Sequence, residues 1–174
     1  RWFALVALLT IGLIAAAAGV WLSWFVSERL LQQEARLTHE FVQSLVGVEK
    51  SLQEFFADPS HPISAETDLA FRHIAAMPDV LRTNVFDRER KVIWSSDRQL
   101  IGRSFGANDE LDEALAGEVV MEKTDGADAA PLKAEHEDLR HPRPMFVEIY
   151  VPVRDVRGEQ VLSVLEFYKN PKAL

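Results

Sequence analysis

The sequence predicts an α+β fold: an N-terminal transmembrane helix continuing into a long amphipathic helix, then a five-stranded antiparallel sheet with flanking helices. Three observations predict it. Trp2 to Val26 is a charge-free apolar run, the segment from Glu28 to Ala57 spaces its apolar residues by three and four, and five runs rich in β-branched and aromatic residues follow Arg82 between turn residues.

The first run holds 25 residues with only Thr10 and Ser23 as polar side chains. As a helix it extends about 37 Å, enough to cross a hydrocarbon core of about 30 Å with some tilt. Small residues at Ala15 to Gly19 offer a signal-peptidase reading, but the run continues through Val20, Trp21, Leu22, Trp24 and Phe25, well past a signal-peptide core. A retained membrane anchor over residues 1–27 is therefore expected. Trp2 at one end and Trp21 with Trp24 at the other suit the two interfacial belts. Arg1 is the one cation upstream while Arg29, Arg36 and Lys50 follow. Because the chain begins without Met, a further upstream flank is expected, and charge alone leaves the orientation open.

Setting aside residues 1–27, whose only charge is Arg1, takes the formal net charge from −8 to −9. An acidic surface of this kind repels phosphate backbones and anionic headgroups, which argues against nucleic-acid binding. The chain has no Cys, so disulfides, a thiol nucleophile and cysteine-held metals are excluded.

In SERLLQQEARLTHEFVQSLVGVEKSLQEFFAD, Leu31, Phe41, Leu45, Val48, Leu52 and Phe55 fall on an a/d seam, continuous from Phe41, with Glu34 and Thr38 at the seam positions nearer the membrane. One helix over 28–57 is expected, its seam facing either a second copy, as a homodimer, or its own domain. DPSHP at Asp58 to Pro62 ends it. Residues 58–174 then form the globular domain. Ser64 caps a second helix with Glu66 and Asp68 in its first turn, Phe71, Ile74 and Ala75 on one face and Pro78 as its stop. Asn108 caps a third, with Asp109 and Glu110 in the first turn and Gly117 where a left-handed residue is wanted.

Strands are expected over Arg82–Asp87, Lys91–Ser96, Glu118–Lys123, Met145–Arg154 and Glu159–Tyr168, with turns at Asp87–Arg90 and Asp155–Gly158 and the helices on one side of the sheet. A mobile, solvated loop is expected over residues 124–144, TDGADAAPLKAEHEDLRHPRP. Its His136 and His141, with Glu135, Glu137 and Asp138, match no established ligand spacing, so no metal is expected. His39 reads as a polar residue of the long helix. The chain has no Gly-x-Ser-x-Gly elbow, phosphate loop or HExxH, so neither a catalytic site nor a cofactor is expected in it.

Three stretches carry a resemblance: NVFDRERKVIWSSDRQLIGRSF at Asn84 to Phe105, NDELDEALAG at Asn108 to Gly117, and VPVRDVRGEQVLSVLEFYKNP at Val151 to Pro171. In their order and spacing the region from Arg82 to Pro171 resembles the Cache or PDC domains, PAS-like extracytoplasmic sensors of bacterial histidine kinases and chemoreceptors. The resemblance implies a curved sheet with the polar loop lying across its face and a small ligand between them, Ile101 anchoring that loop and Gly102 letting it turn. It implies a periplasmic location for residues 28–174, with a second membrane helix and a cytoplasmic output beyond LEFYKNPKAL. Where the family commonly has Gly in the first strand turn this chain has Arg90, for which a different turn type is expected.

Simple alternation places Val92, Trp94 and Ser96 on one face of the second strand, and Phe146, Glu148 and Tyr150 on one face of the fourth. Arg82, Trp94, Ser96, Arg98 and Tyr150 are the candidate ligand-binding residues, able to enclose a small anion such as a carboxylate through the Arg forks. Trp94 as plain core with both Arg solvated is the competing reading. Phe41, Leu45, Val48, Leu52 and Phe55 are the candidate dimer residues. The expected function is the signal-sensing module of a two-component sensor histidine kinase. The alternatives are a membrane-tethered interaction module without ligand, and the sensor of a chemoreceptor or diguanylate cyclase.

Overall fold

The computed structural model describes residues 2–59, 61–124, 146–155 and 157–170, and divides the chain into two compact units, 1–34 and 35–174. Within the first unit, Val6–Ser23 has mean hydropathy 2.1 and is nowhere buried, a helical stretch long and apolar enough to cross a membrane.

Helix α1 runs over Trp2–Val48 and α2 over Lys50–Ala57. The single helix expected over 28–57 is therefore interrupted at Glu49, whose ψ of 103° is extended. Gly47 and two β-branched valines weaken the helix there. The Gln53 side chain caps the break, donating to the carbonyls of Val46 and Gly47, each at 2.9 Å. The change of direction has a packing reason: it turns Leu52, Phe55 and Phe56 into the core.

Helix α3 (Ala65–Ala75) starts at Ser64, whose Oγ accepts from Thr67 N, and α4 (Asp109–Ala116) starts at Asn108, whose side chain accepts from Leu111 N. Gly117 ends α4 at φ 107°. The strands are β1 (Val80–Phe86), β2 (Val92–Ser95), β3 (Val120–Thr124), β4 (Phe146–Arg154) and β5 (Val161–Lys169), all antiparallel in the order β2-β1-β5-β4-β3. Both hairpin turns use an aspartate: Asp87 Oδ1 accepts from Glu89 N and Lys91 N, and Asp155 Oδ1 from Glu159 N and Gln160 N. Pro152 is tolerated inside β4 because β3 pairs only as far as Tyr150; its carbonyl takes the Gln43 side chain instead, at 2.8 Å.

One sheet face packs on α2 and α3 through an aromatic cluster of Phe55, Phe56, Phe71 and Trp94, with Phe71 stacked on Trp94 at 5.1 Å. Helix α4 packs on the other face, where Leu111 and Ala114 join Phe86, Val92, Tyr150 and Val164. The helices thus flank the sheet on both sides and not on one.

Three local expectations are corrected. Arg90 keeps the left-handed turn with φ 63°, and its guanidinium pairs with Asp112 at the exposed start of α4. The loop after β2 is anchored by Leu100, 2% exposed, while Ile101 is 42% exposed; Gly102 does turn the chain, at φ 86°, and its N–H reaches the Val92 carbonyl. A bulge between Val85 and Phe86 pairs Val85 with Trp94 but Phe86 with Val92, so Val92 and Trp94 point to opposite faces. The loop expected after Thr124, with His136 and His141, and the segment beyond Asn170 lie outside the described residues, as do the Leu31 side chain and Met145.

Candidate functional site: a buried polar face and a cleft behind it

The sheet separates the five candidate ligand residues. Cross-strand register puts Arg82, Tyr168 and Glu148 in one row and Asn84, Glu166 and Tyr150 in the next, all on the face that carries α4. Trp94, paired with Val85, lies on the face of α2 and α3, and Ser96 and Arg98 lie with it. Arg82 and Tyr150 therefore belong to one site, and Trp94, Ser96 and Arg98 to another.

The first site is built from two Glu-x-Tyr triplets on neighbouring strands, Glu148-Ile149-Tyr150 on β4 and Glu166-Phe167-Tyr168 on β5. Because β strands alternate, each glutamate shares a face with the tyrosine two residues on. Tyr150 donates to Glu148 Oε2 and Tyr168 to Glu166 Oε1, both at 2.8 Å. Antiparallel pairing sets Glu148 opposite Tyr168 and Tyr150 opposite Glu166, so carboxylates and phenols alternate around a square. Both glutamates are 0% exposed. Asn84 donates to Glu166 Oε2 at 2.7 Å and accepts from Ser95 Oγ at 2.7 Å. Asn108, the cap of α4, donates to the Tyr150 hydroxyl at 3.2 Å. The Arg82 guanidinium lies over the Tyr168 ring, 4.3 Å from its centre.

Burial pushes the Tyr150 phenol well above its ordinary value, and the charges of Glu166 and Glu148 add to the effect. The phenol therefore stays a donor at neutral pH. Burying carboxylates costs several kcal/mol each unless hydrogen bonds compensate, which makes this face sensitive to any group that adds or removes a partner. Its hydrogen bonds also reach outward, through Asn108 to α4 and through Ser95 to the β2 corner, where Ser95 Oγ accepts from Asp97 N. Strand β5 connects the two sides of the sheet: Tyr168 faces the square, while the next residue, Lys169, reaches Thr38 of α1 at 3.5 Å.

The second site is a cleft of about 350 Å³ between α3 and the corner after β2. Trp94 Nε1 donates to Asp68 Oδ1 at 2.9 Å, and Arg72 pairs with Asp68 Oδ2 at 2.9 Å. The Trp94 hydrogen bond, with lesser help from Arg72 and Arg98, holds the Asp68 carboxyl below the usual range. Ser96 Oγ accepts from Thr83 N at 3.1 Å.

The candidate dimer residues also divide. Phe41 and Val48 are 43% and 79% exposed and line up with exposed Leu37, whereas Leu45 is half-buried and Leu52 and Phe55 lie in the core beyond the break at Glu49. Ala35, Thr38, Val42 and Val46 form the opposite, buried stripe of α1. Glu166 and Tyr168 were not among the sequence candidates, although the repeated Glu-x-Tyr in two adjacent strands is a readable signal.

No family model and no curated protein sequence matches the chain. Solved structures do. The E. coli DcuS sensor domain matches with TM-score 0.50 and 14% identity over 85% of this chain and 94% of that one. The sensor domain of the V. cholerae histidine kinase DctB matches with TM-score 0.54 and 18% identity over 83% of this chain, which spans 52% of the DctB domain. The chain thus shares the fold of the PAS-like Cache/PDC extracytoplasmic sensor domains.

Proposed function

We propose that this chain is the periplasmic signal-sensing module of a membrane-bound, two-component sensor histidine kinase. In this reading residues 1–27 anchor it in the inner membrane, and the polar face of β4 and β5 receives a small molecule. The stripe of Leu37, Phe41 and Val48 pairs α1 with a second copy. The observation that carries the reading is the pair of fully buried Glu-x-Tyr triplets on strands whose other face holds α1. A ligand that exchanges hydrogen bonds with Glu148 or Glu166 alters β5, and β5 bears on Thr38 through Lys169. Such a ligand shifts the state of α1 only by its differential affinity for the two states. The likeness to DcuS and DctB sensor domains supports the sensory part of the reading. Chemoreceptor and diguanylate cyclase outputs are compatible with the same sensory part, and the fold by itself does not decide among them.

The test is thermal unfolding of residues 1–174 in nanodiscs against small organic acids, amines and amino acids. The expected result is a concentration-dependent rise in Tm for one chemical class, lost in Glu166→Gln and Tyr150→Phe. If every class leaves Tm unchanged, the alternative of a membrane-tethered protein-interaction module takes its place. That alternative is favoured by one observation: the glutamates and tyrosines of the polar face already satisfy one another.

A further inference from the structure

The geometry points to a second binding site, on the opposite side of the sheet from the polar face: we propose that the cleft between α3 and the β2 corner binds the carboxylate of a small organic acid through Arg98. Its walls are fixed by packing. Trp94 is stacked on Phe71 and tied by its indole N–H to Asp68. Both Asp68 oxygens are engaged, one by Trp94 and the other by Arg72, so this carboxylate is ionised, neutralised and occupied.

Arg98 is different. It stands in the short 3-10 turn Arg98–Leu100, pinned by the Asp97 side chain accepting from Gln99 N and by buried Leu100. Its exposed guanidinium makes no hydrogen bond or ion pair among the described residues and only lies within electrostatic reach of Asp68. Ser96 accepts from Thr83 N, which leaves its hydroxyl proton to donate. Two guanidinium groups against one carboxylate give the cleft one net positive charge, in a domain that is otherwise strongly acidic. A planar donor fork beside a hydroxyl donor matches a carboxylate, and the volume lies within the range of small-molecule sites. Ser95 and Ser96 point to opposite faces, Ser95 onto Asn84 of the polar face, so an occupant of the cleft sits one residue from the other network.

The Trp94 indole N–H reports on this cleft. In ¹⁵N-labelled residues 1–174 in nanodiscs, with the indole resonance assigned by Trp94→Phe, sodium acetate, benzoate and succinate are titrated against matched sodium chloride. A saturable shift with a carboxylate but not with chloride is expected, weakened about tenfold or more in Arg98→Ala and less in Arg98→Lys, and unchanged in Glu166→Gln. Arg98 is exposed, so its replacement leaves the core intact. Absence of a saturable shift, or one that persists in Arg98→Ala, overturns the proposal. A shift lost in Glu166→Gln but not in Arg98→Ala places the carboxylate on the polar face, which also overturns the cleft and leaves the sensing reading standing.

Discussion

Arg154 closes over Gly117: its Nη2 donates to the Gly117 carbonyl at 2.9 Å, and a Cβ on Gly117 would collide with that guanidinium. The other arm of Arg154 reaches the Gly158 carbonyl at 3.2 Å, so one side chain joins the end of α4 to the β4–β5 turn. Gly117→Ala is expected to destabilise the domain by about 1–2 kcal/mol from the left-handed φ alone, and by more once Arg154 is displaced. Urea unfolding of Gly117→Ala, Arg154→Ala and the double variant should show a double loss smaller than the sum, because both remove the same contact.

Tyr150→Phe takes one donor from Glu148 and one acceptor from Asn108 in a face with no exposure. A loss of about 1–3 kcal/mol in chemical denaturation is expected. A value near zero would mean that the phenol hydrogen bonds contribute nothing net to the fold.

His39 makes stability depend on pH. Burial lowers the imidazole below its ordinary 6.5, Arg154 acts in the same direction and Glu40 opposes, while Nδ1 is buried without a hydrogen-bond partner among the described residues. The unfolded chain therefore takes up the proton at a higher pH than the folded one. Stability from this group is complete above about pH 6.5 and declines as pH falls from there through the folded value. His39→Gln is expected to flatten the denaturation midpoint across that window relative to the parent chain, and an unchanged slope would assign the dependence elsewhere.

The break at Glu49 separates two kinds of apolar residue on what reads as one seam. Phe41→Asp and Val48→Asp are expected to reduce crosslinked dimer in membranes while leaving the circular dichroism of the domain intact. Leu52→Asp should instead unfold it, since even Leu52→Ala costs about 2–5 kcal/mol at a fully buried position. Equal dimer yield across the exposed variants would remove the helix stripe from the signalling proposal.

The elements readable from the chain are those whose chemistry is local. Ser64 and Asn108 begin helices, Gly117 ends one, and Asp87 and Asp155 shape two turns, each because a side chain satisfies backbone groups within a few residues. Glu148 and Tyr150 were legible as sharing a face for the same reason. The partner triplet at Glu166 and Tyr168 was equally periodic, but nothing local says that β5 lies between β1 and β4.

By itself, then, the sequence determined an apolar span of membrane length, an α+β domain, its caps and its hairpins, since these follow from periodicity and short-range hydrogen bonding. Only the tertiary structure decided the helix break that turns Leu52 and Phe55 inward, and the bulge that sends Val92 and Trp94 to opposite faces. It also put α4 on the polar side, opposite α2 and α3, and divided five candidate residues between two sites. The physical reason is common to all of these. A bend or a bulge changes which way every later side chain points, and the energy that selects it comes from packing against residues tens of positions away.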